Sequence, residues 1–344
     1  MLSSIVDHTV VQRQAHISPM TLSSTRVCPV IVVIGEMGDE GRPPGLDRVA
    51  DRVVFRFANT STGLESALPG AEGALVWDFQ SRYLRESLYY ADSLRWIHVA
   101  AAGVDAVMSP ELAASDIVLT NARGVFNRSI AETVAAMILV FAKDMLTTID
   151  LQRKRVWRHR ETEMVAGQRA LIVGTGDIGR ETARTLRALD IDVVGVATTE
   201  RSDPDFGMIR SIDDLDDLLP TADFLVLVVP LTHRTRGLLG PKQFSLMKQT
   251  ARLINVGRGE LVDDAALVGA LRSGEIAGAA LDVFHDEPLP PDHPDWAMSQ
   301  VLVSPHMSAD FCGRLEALAD QFMDNLVRWL DGEPLVNVVD KQQG

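Results

Sequence analysis

Cysteine is scarce: Cys28 and Cys312 are the two in 344 residues. Neither sits in a C-x-x-C or zinc-like spacing, which argues against a disulfide scaffold and a cysteine metal site. The reducing cytoplasm is the expected setting, and no metal is expected. No apolar run approaches the roughly 20 residues of a membrane span. The longest, VAAMILVFA (134–142), has the length of a buried helix. No Lys/Arg-rich run occurs, and the formal net charge is −14. Such a surface repels nucleic acid and anionic lipid, so neither is an expected partner. An anionic substrate must then meet positive charge that its own site supplies. Residues 1–26 lack the apolar centre of a secretory signal and read as a loosely ordered extension, with an organellar presequence as the alternative.

What is present is ordinary globular material, 46% hydrophobic and 23% charged, in a chain long enough for two domains. Short apolar strand candidates recur from PVIVVIG (29–35) through RVVFRF, GALVW, WIHVA and IVLTN. Helix-like segments separate several of them, which predicts a mostly parallel sheet covered by helices. A second series follows from Arg169, with strands at ALIV, DVVGV, FLVLVV, RLINV, GAALDV and VLVS. Six strands with short connections fit a doubly wound nucleotide-binding domain. Between the series, SIAETVAAMILVFAKDM places Ser129 three residues before Glu132, a capping-box spacing that predicts a helix start. The apolar middle of this helix suits burial within the domain and against a second subunit, so a homodimer is expected. DDAALVGALRSG predicts a helix stopped by Gly274. FCGRLEALADQFMDNLVRWLDG predicts a last helix over 311–332, crossing back to the first domain.

The stretch ALIVGTGDIGRETARTLRALDIDVVGVATTER (170–201) carries a G-x-G-x-x-G turn. Gly174 permits the tight turn off the strand, Gly176 lets backbone approach a pyrophosphate, and Gly179 lets helix and strand pack closely. Thr175, Asp177 and Ile178 complete the turn, and the helix from Asp177 aims its N–H groups at phosphates. Strand, turn, helix and second strand in this order are the context in which the motif signals a dinucleotide. A free ribose hydroxyl is usually met by an acid about 20 residues on, which falls at Ala197. Thr198, Thr199 and Arg201 follow and are placed to receive a 2′-phosphate. NADP(H) is therefore favoured over NAD(H); the alternative is that Glu200 reaches the ribose.

Three further residues stand just beyond strand ends: Arg258 in INVGRGELVD, Glu287 in LDVFHDEPLP and His306 in VSPHMSAD. Ligands of open α/β sheets collect at those ends. A guanidinium grips a carboxylate in a fixed fork, and Gly257 and Gly259 leave room beside it. Histidine donates a proton near neutrality, and a carboxylate beside it favours imidazolium. That set serves reduction of a 2-oxo acid. Taken alone, Arg258 also reads as a surface ion-pair residue. His285 and His293, in the loop-like HDEPLPPDHPD, read as solvated.

Together AAGVD (101–105), VGTGDIG, VVPLTHRTRGLL, LINVGRGELVD, GAALDVFHDEP and SPHMSA resemble the D-isomer-specific 2-hydroxyacid dehydrogenase family. The resemblance spans nearly all of the chain after the extension. It implies two doubly wound parallel-sheet α/β domains: a Rossmann-type NAD(P) domain (123–308) inserted in a flavodoxin-like substrate domain (27–122 and 309–344). It implies catalytic roles for Arg258, Glu287 and His306, and a substrate-carboxylate loop at Ala101, Ala102 and Gly103. It places Pro230, Thr235, Asn255, Val256, Gly257 and Asp282 along the cofactor. ALVWDF (74–79) is similar to the glyoxylate/hydroxypyruvate reductase subgroup, which implies that Trp77 flanks the substrate; otherwise it is simply a buried Trp. Formate-oxidising members have glutamine where Glu287 stands. The expected activity is NAD(P)H-dependent reduction of a small 2-oxo acid. The alternative is a nucleotide-sensing binding protein or corepressor on the same fold.

Overall fold

The computed structural model describes residues 28–35, 41–78 and 81–341. The extension expected over 1–26 lies outside them. The chain divides into two compact units. One takes the residues up to Ala122 and those from Leu315 onward; the other is Arg123–Arg314.

In the first unit, β1 (Val30–Ile34), β2 (Val54–Ala58), α1 (Ser61–Ala67), β3 (Gly73–Val76), α2 (Tyr83–Ser87), β4 (Trp96–Val99), α3 (Pro110–Ala114) and β5 (Val118–Asn121) follow in order. The strands pair in parallel in the order β2-β1-β3-β4-β5. A sheet covered on both faces has no solvated side, so its strands read as near-continuous apolar runs. Every residue of β3 and β4 is buried accordingly. Helix starts follow local chemistry: the Thr60 hydroxyl accepts the Gly63 N–H (3.0 Å), and Ser109 caps α3 ahead of Pro110. A last helix, Arg314–Asp331, belongs to this unit from Leu315. Its Phe322 and Trp329 rings stack on Trp96, with centroids 5.6 and 5.8 Å away. It begins at Arg314 rather than Phe311, because Gly313 turns the chain with φ 90°. Gly332 (φ 74°) follows its end.

In the second unit, α4 (Asn127–Ala142) and α5 (Met145–Arg153) precede β6 (Arg169–Val173), α6 (Asp177–Arg187) and β7 (Asp192–Ala197). Next come β8 (Arg201–Asp203), β9 (Gly207–Ser211), α7 (Leu215–Leu218), β10 (Phe224–Leu227), α8 (Pro241–Leu246) and β11 (Arg252–Asn255). The unit ends with α9 (Asp264–Ser273), β12 (Gly278–Leu281) and β13 (Val301–Val303), so that the helix from Arg314 is α10. The sheet order is β13-β12-β11-β10-β6-β7-β9-β8. Strand order reverses between β6 and β10, which opens the ligand crevice of a doubly wound sheet beyond their carboxyl ends.

Two sequence readings are corrected here. The sheet has eight strands, not six: β9 joins β7 in parallel and β8 returns antiparallel. Their short polar sequences show no apolar alternation. They are fixed instead by Phe206 against Gly195, where a Cβ would lie 2.6 Å from the ring, and by buried Asp203 bonded to Arg180 (2.6 Å). Ser129 is not an N-cap. Helix α4 starts at Asn127 after Phe126, and Glu132 pairs with Arg128 (2.7 Å). Within the unit α4 buries Ile130, Val134, Met137 and Ile138. Gly274 ends α9 in the left-handed conformation (φ 74°), as its position implied.

Candidate active site

The glycine turn leaves β6 at the reversal of strand order. Gly174 has φ 110°, and a Cβ there would lie 2.8 Å from the Val228 carbonyl carbon. At Gly179 a Cβ would lie 2.0 Å from the Gly174 oxygen, so α6 can approach the turn only with glycine there. At Gly176 a Cβ would meet nothing within 4 Å. Each glycine thus has its own setting, and Gly176 is the one that faces open space. Asp177, in the first turn of α6, pairs with Arg123 (3.3 Å), and Ile178 is half-buried beside it. Thr175 is buried, and its hydroxyl accepts a bond from Arg201 Nη2 (2.8 Å). Arg201 therefore lies against the glycine turn, while its Nη1 bonds the Thr199 carbonyl (3.2 Å). Thr198 and Thr199 are exposed at the end of β7, and Glu200 faces Arg210 (3.5 Å).

Beyond β10, Pro230 is exposed and its carbonyl accepts the Thr235 hydroxyl (2.8 Å), which itself accepts the Thr232 N–H (2.8 Å). Beyond β11, buried Asn255 organises the arginine turn. Its Nδ2 bonds the Arg258 carbonyl (2.9 Å) and its Oδ1 accepts the Gly257 N–H (3.1 Å). Val256 continues the ladder through a bond from its N–H to Leu227 (3.1 Å). The glycines flanking Arg258 do not leave open space, as the sequence suggested. A Cβ at Gly257 would lie 2.8 Å from Leu261, and one at Gly259 would lie 2.1 Å from the Phe284 carbonyl carbon. Glycine at 259 lets the arginine turn press against the turn that carries Glu287.

Glu287 Oε1 accepts the Phe284 N–H (3.0 Å), and Oε2 lies 2.7 Å from Nδ1 of His306. Burial pushes the Glu287 carboxyl upward. The hydrogen bonds from His306 and Phe284 and the charges of His306 and Arg258 outweigh it and hold the carboxyl below its usual range. An ionised carboxylate only accepts, so Nδ1 carries the hydrogen of this bond. The two side chains are 24% and 26% exposed, enough to reach a ligand and too little to be solvated freely.

His306 has φ 53°, a left-handed conformation that costs a non-glycine residue roughly 1–2 kcal/mol. The residues that hold it there were not legible as a group. Fully buried Asp282, after β12, accepts the Met307 N–H (3.0 Å) and the Ser304 hydroxyl on Oδ1, and the Ser308 N–H (2.9 Å) on Oδ2. From the other side, Ser129 Oγ donates to the carbonyls of Ser308 (3.0 Å) and Asp310 (3.1 Å), and Thr133 Oγ1 to Ser308 (3.3 Å). Hydroxyls at i and i+4, Ser129 and Thr133, on one side of the helix were the available signal.

In the first unit, Trp77 follows β3. It is 8% exposed, and its indole N–H is buried with no hydrogen-bond partner among the described residues. Ala101, Ala102 and Gly103 follow β4 and are half-buried. The Ala101 carbonyl accepts the Ala122 N–H (2.8 Å), and the Ala102 carbonyl accepts Asn121 Nδ2 (2.6 Å). Across a trans peptide the next N–H points the opposite way, so the N–H groups of Ala102 and Gly103 turn away from these partners. Of the two histidines read as solvated, His285 is exposed, with Nε2 2.8 Å from the Val262 carbonyl, whereas His293 is half-buried between Asp264 and Asp295.

Residues 135–308 match the family model described as D-isomer specific 2-hydroxyacid dehydrogenase, NAD binding domain. A glyoxylate reductase from Thermofilum pendens is 33% identical over 260 residues, covering 73% of this chain and 76% of that protein. A D-isomer specific 2-hydroxyacid dehydrogenase from Xanthobacter autotrophicus Py2, solved with NADPH and MES, superposes with a TM-score of 0.76 at 30% identity, covering 91% of this chain and 98% of that one. An NADPH-dependent glyoxylate/hydroxypyruvate reductase from Sinorhizobium meliloti, solved with NADP and sulfate, gives 0.77 at 28% identity, covering 91% and 98%. With the glycine turn at the strand reversal and an arginine, a glutamate and a histidine on successive strand ends, the chain belongs to the D-isomer-specific 2-hydroxyacid dehydrogenase family.

Proposed function

We propose that the protein reduces a small 2-oxo acid of the glyoxylate or hydroxypyruvate kind to the D-2-hydroxy acid, with NADP(H) in preference to NAD(H). The observation that carries this is the 2.7 Å bond between Glu287 and His306, on a turn braced in a left-handed conformation. His306 donates the proton to the substrate oxygen from Nε2, since Nδ1–H is committed to Glu287. Glu287 fixes the tautomer and orientation of the ring. Arg258 grips the substrate carboxylate and polarises the carbonyl. Ala101 and the N–H groups of Ala102 and Gly103 are assigned to a substrate-carboxylate loop, and Trp77 to flanking the substrate.

The residues suit a dinucleotide. Gly174, Thr175, Gly176, Asp177, Ile178 and Gly179 would hold the pyrophosphate, with Gly176 supplying the open space. Pro230, Thr235, Asn255, Val256, Gly257 and Asp282 would frame the nicotinamide side. The bound nicotinamide supplies the hydride. Arg201 beside Thr175, the absence of an acid at Ala197 and the turning of Glu200 to Arg210 support a 2′-phosphate over a bare ribose. The unit Arg123–Arg314 is then the cofactor domain.

We also infer a homodimer. Trp157 is fully exposed (101%), and Met145, Ile149, Val156 and Met164 expose further apolar surface on α5 and the strand-free segment after it. Light scattering should give twice the chain mass, and Trp157→Glu should lower it. Cys28 and Cys312 are both free thiols, which suits the cytoplasm. No helix among the described residues is long and apolar enough to cross a membrane.

The test is steady-state kinetics of a 2-oxo acid panel against NADPH and NADH. Glyoxylate or hydroxypyruvate should be turned over, faster with NADPH. Tight cofactor binding with no oxidation on any acid of the panel would instead support the nucleotide-sensing reading.

A further inference from the structure

Asp295 is 1% exposed, and neither oxygen of its carboxyl has a hydrogen-bond partner among the described residues. Burying a carboxylate that no hydrogen bond satisfies is costly. The environment points to what resolves it. Nδ1 of His293 lies 3.6 Å from Asp295 Oδ2, and Nε2 of the same ring lies 3.3 Å from Asp264 Oδ2. Asp264 is the first residue of α9, but the cap is made by Asp263, whose Oδ1 accepts the Ala266 N–H (3.0 Å). The Asp264 carboxylate is therefore not consumed by the helix end. One donor atom from each of Asp264, His293 and Asp295 lies within 4.8 Å of the others, and among the described residues this is the one such cluster.

We propose that Asp264, His293 and Asp295 bind a divalent transition-metal ion, with zinc as the reference case. An imidazole nitrogen and two carboxylate oxygens are a normal zinc donor set, at about 2.0–2.2 Å each, with water in the fourth position. The three donor atoms, one from each side chain, already lie within 4.8 Å of one another and would draw together around the ion. The charges of the ion and the two carboxylates cancel, which offsets the cost of burying Asp295 without a hydrogen bond. Asp264 is 44% exposed and His293 16%, so an ion can enter from solvent on the Asp264 side. The consequence is structural. His293 and Asp295 lie in the loop that also carries Glu287, and the ion would tie that loop to the start of α9. Metal-ion occupancy would steady the Glu287 turn without entering the reduction itself, so the site stands whether or not the proposed reductase reading holds.

The test uses tag-free full-length protein, stripped with chelator, titrated with zinc chloride by calorimetry and followed by thermal unfolding. Wild type should bind one equivalent, and zinc at a hundredfold excess over its Kd should raise Tm by roughly 5 °C or more. His293→Gln, Asp295→Asn and the surface variant Asp264→Asn should each weaken zinc binding at least tenfold. Without metal, Asp295→Asn should melt no lower than wild type, because it removes a buried charge that no hydrogen bond holds. Failure of wild type to take up zinc stoichiometrically, or uptake that survives these substitutions, would overturn the proposal.

Discussion

Asp282→Asn keeps the shape of the side chain and removes one acceptor. The native carboxylate takes three donors at full burial: the Ser304 hydroxyl and the Met307 N–H on one oxygen, the Ser308 N–H on the other. Asparagine has a single oxygen, so if it faces Ser304 and Met307 its amide confronts the Ser308 N–H. One charge-assisted bond is lost, worth about 1.5–3 kcal/mol, and a buried donor is left unmet at about 1–3 kcal/mol. A destabilisation of about 3 kcal/mol in the second unit is expected, read as a lower urea midpoint with unchanged slope. The same bonds hold His306 in its left-handed conformation, so kcat should fall roughly tenfold to a hundredfold in the fraction that remains folded. Amide exchange at Met307 and Ser308 should accelerate. Stability within about 0.5 kcal/mol of wild type and an unchanged kcat would refute the view that Asp282 holds the histidine turn.

Other substitutions probe other parts. Arg258→Lys should raise KM for the 2-oxo acid at least roughly tenfold, because an ammonium cannot reproduce the planar fork; a wild-type KM would refute the carboxylate grip. Ala197→Asp should move the NADPH/NADH ratio of kcat/KM toward NADH on the order of tenfold by repelling a 2′-phosphate, and an unchanged ratio would mean that cofactor choice is read elsewhere. The Glu287 carboxyl is held below its ordinary range. Its contribution to stability is therefore fully present above the unfolded value near 4.5 and is lost as pH falls through the lower folded value. Glu287→Gln should flatten that acid loss; an unaltered acid limb in the variant would contradict the assignment.

Much of this was legible in the sequence because it is local. The glycine turn needs particular residues at particular spacings, the strands announce themselves as apolar runs, and Gly274 stops its helix by its own conformation. What was not legible depends on distant partners. Ser129 and Glu132 satisfy a capping spacing, yet the Ser129 hydroxyl finds the Ser308 and Asp310 carbonyls far along the chain, and that tertiary bond decides its place. Strands β8 and β9 carry no apolar alternation, and an arginine on α6 together with a phenylalanine filling the hollow of Gly195 sets their edge. The glycines beside Arg258 looked like room for a substrate and are room for neighbouring backbone and side chain. His293 looked solvated because nothing in its own loop announces Asp264. Arg258, Glu287 and His306 could be picked out because each follows a strand, and parallel strands deliver their ends to one rim.

The most direct measurement is His306→Ala, assayed for NADPH-linked 2-oxo acid reduction alongside its NADPH dissociation constant. kcat should fall by roughly 10²–10⁴-fold with cofactor affinity within a few-fold of wild type. A variant that turns over at the wild-type rate at neutral pH would contradict this expectation.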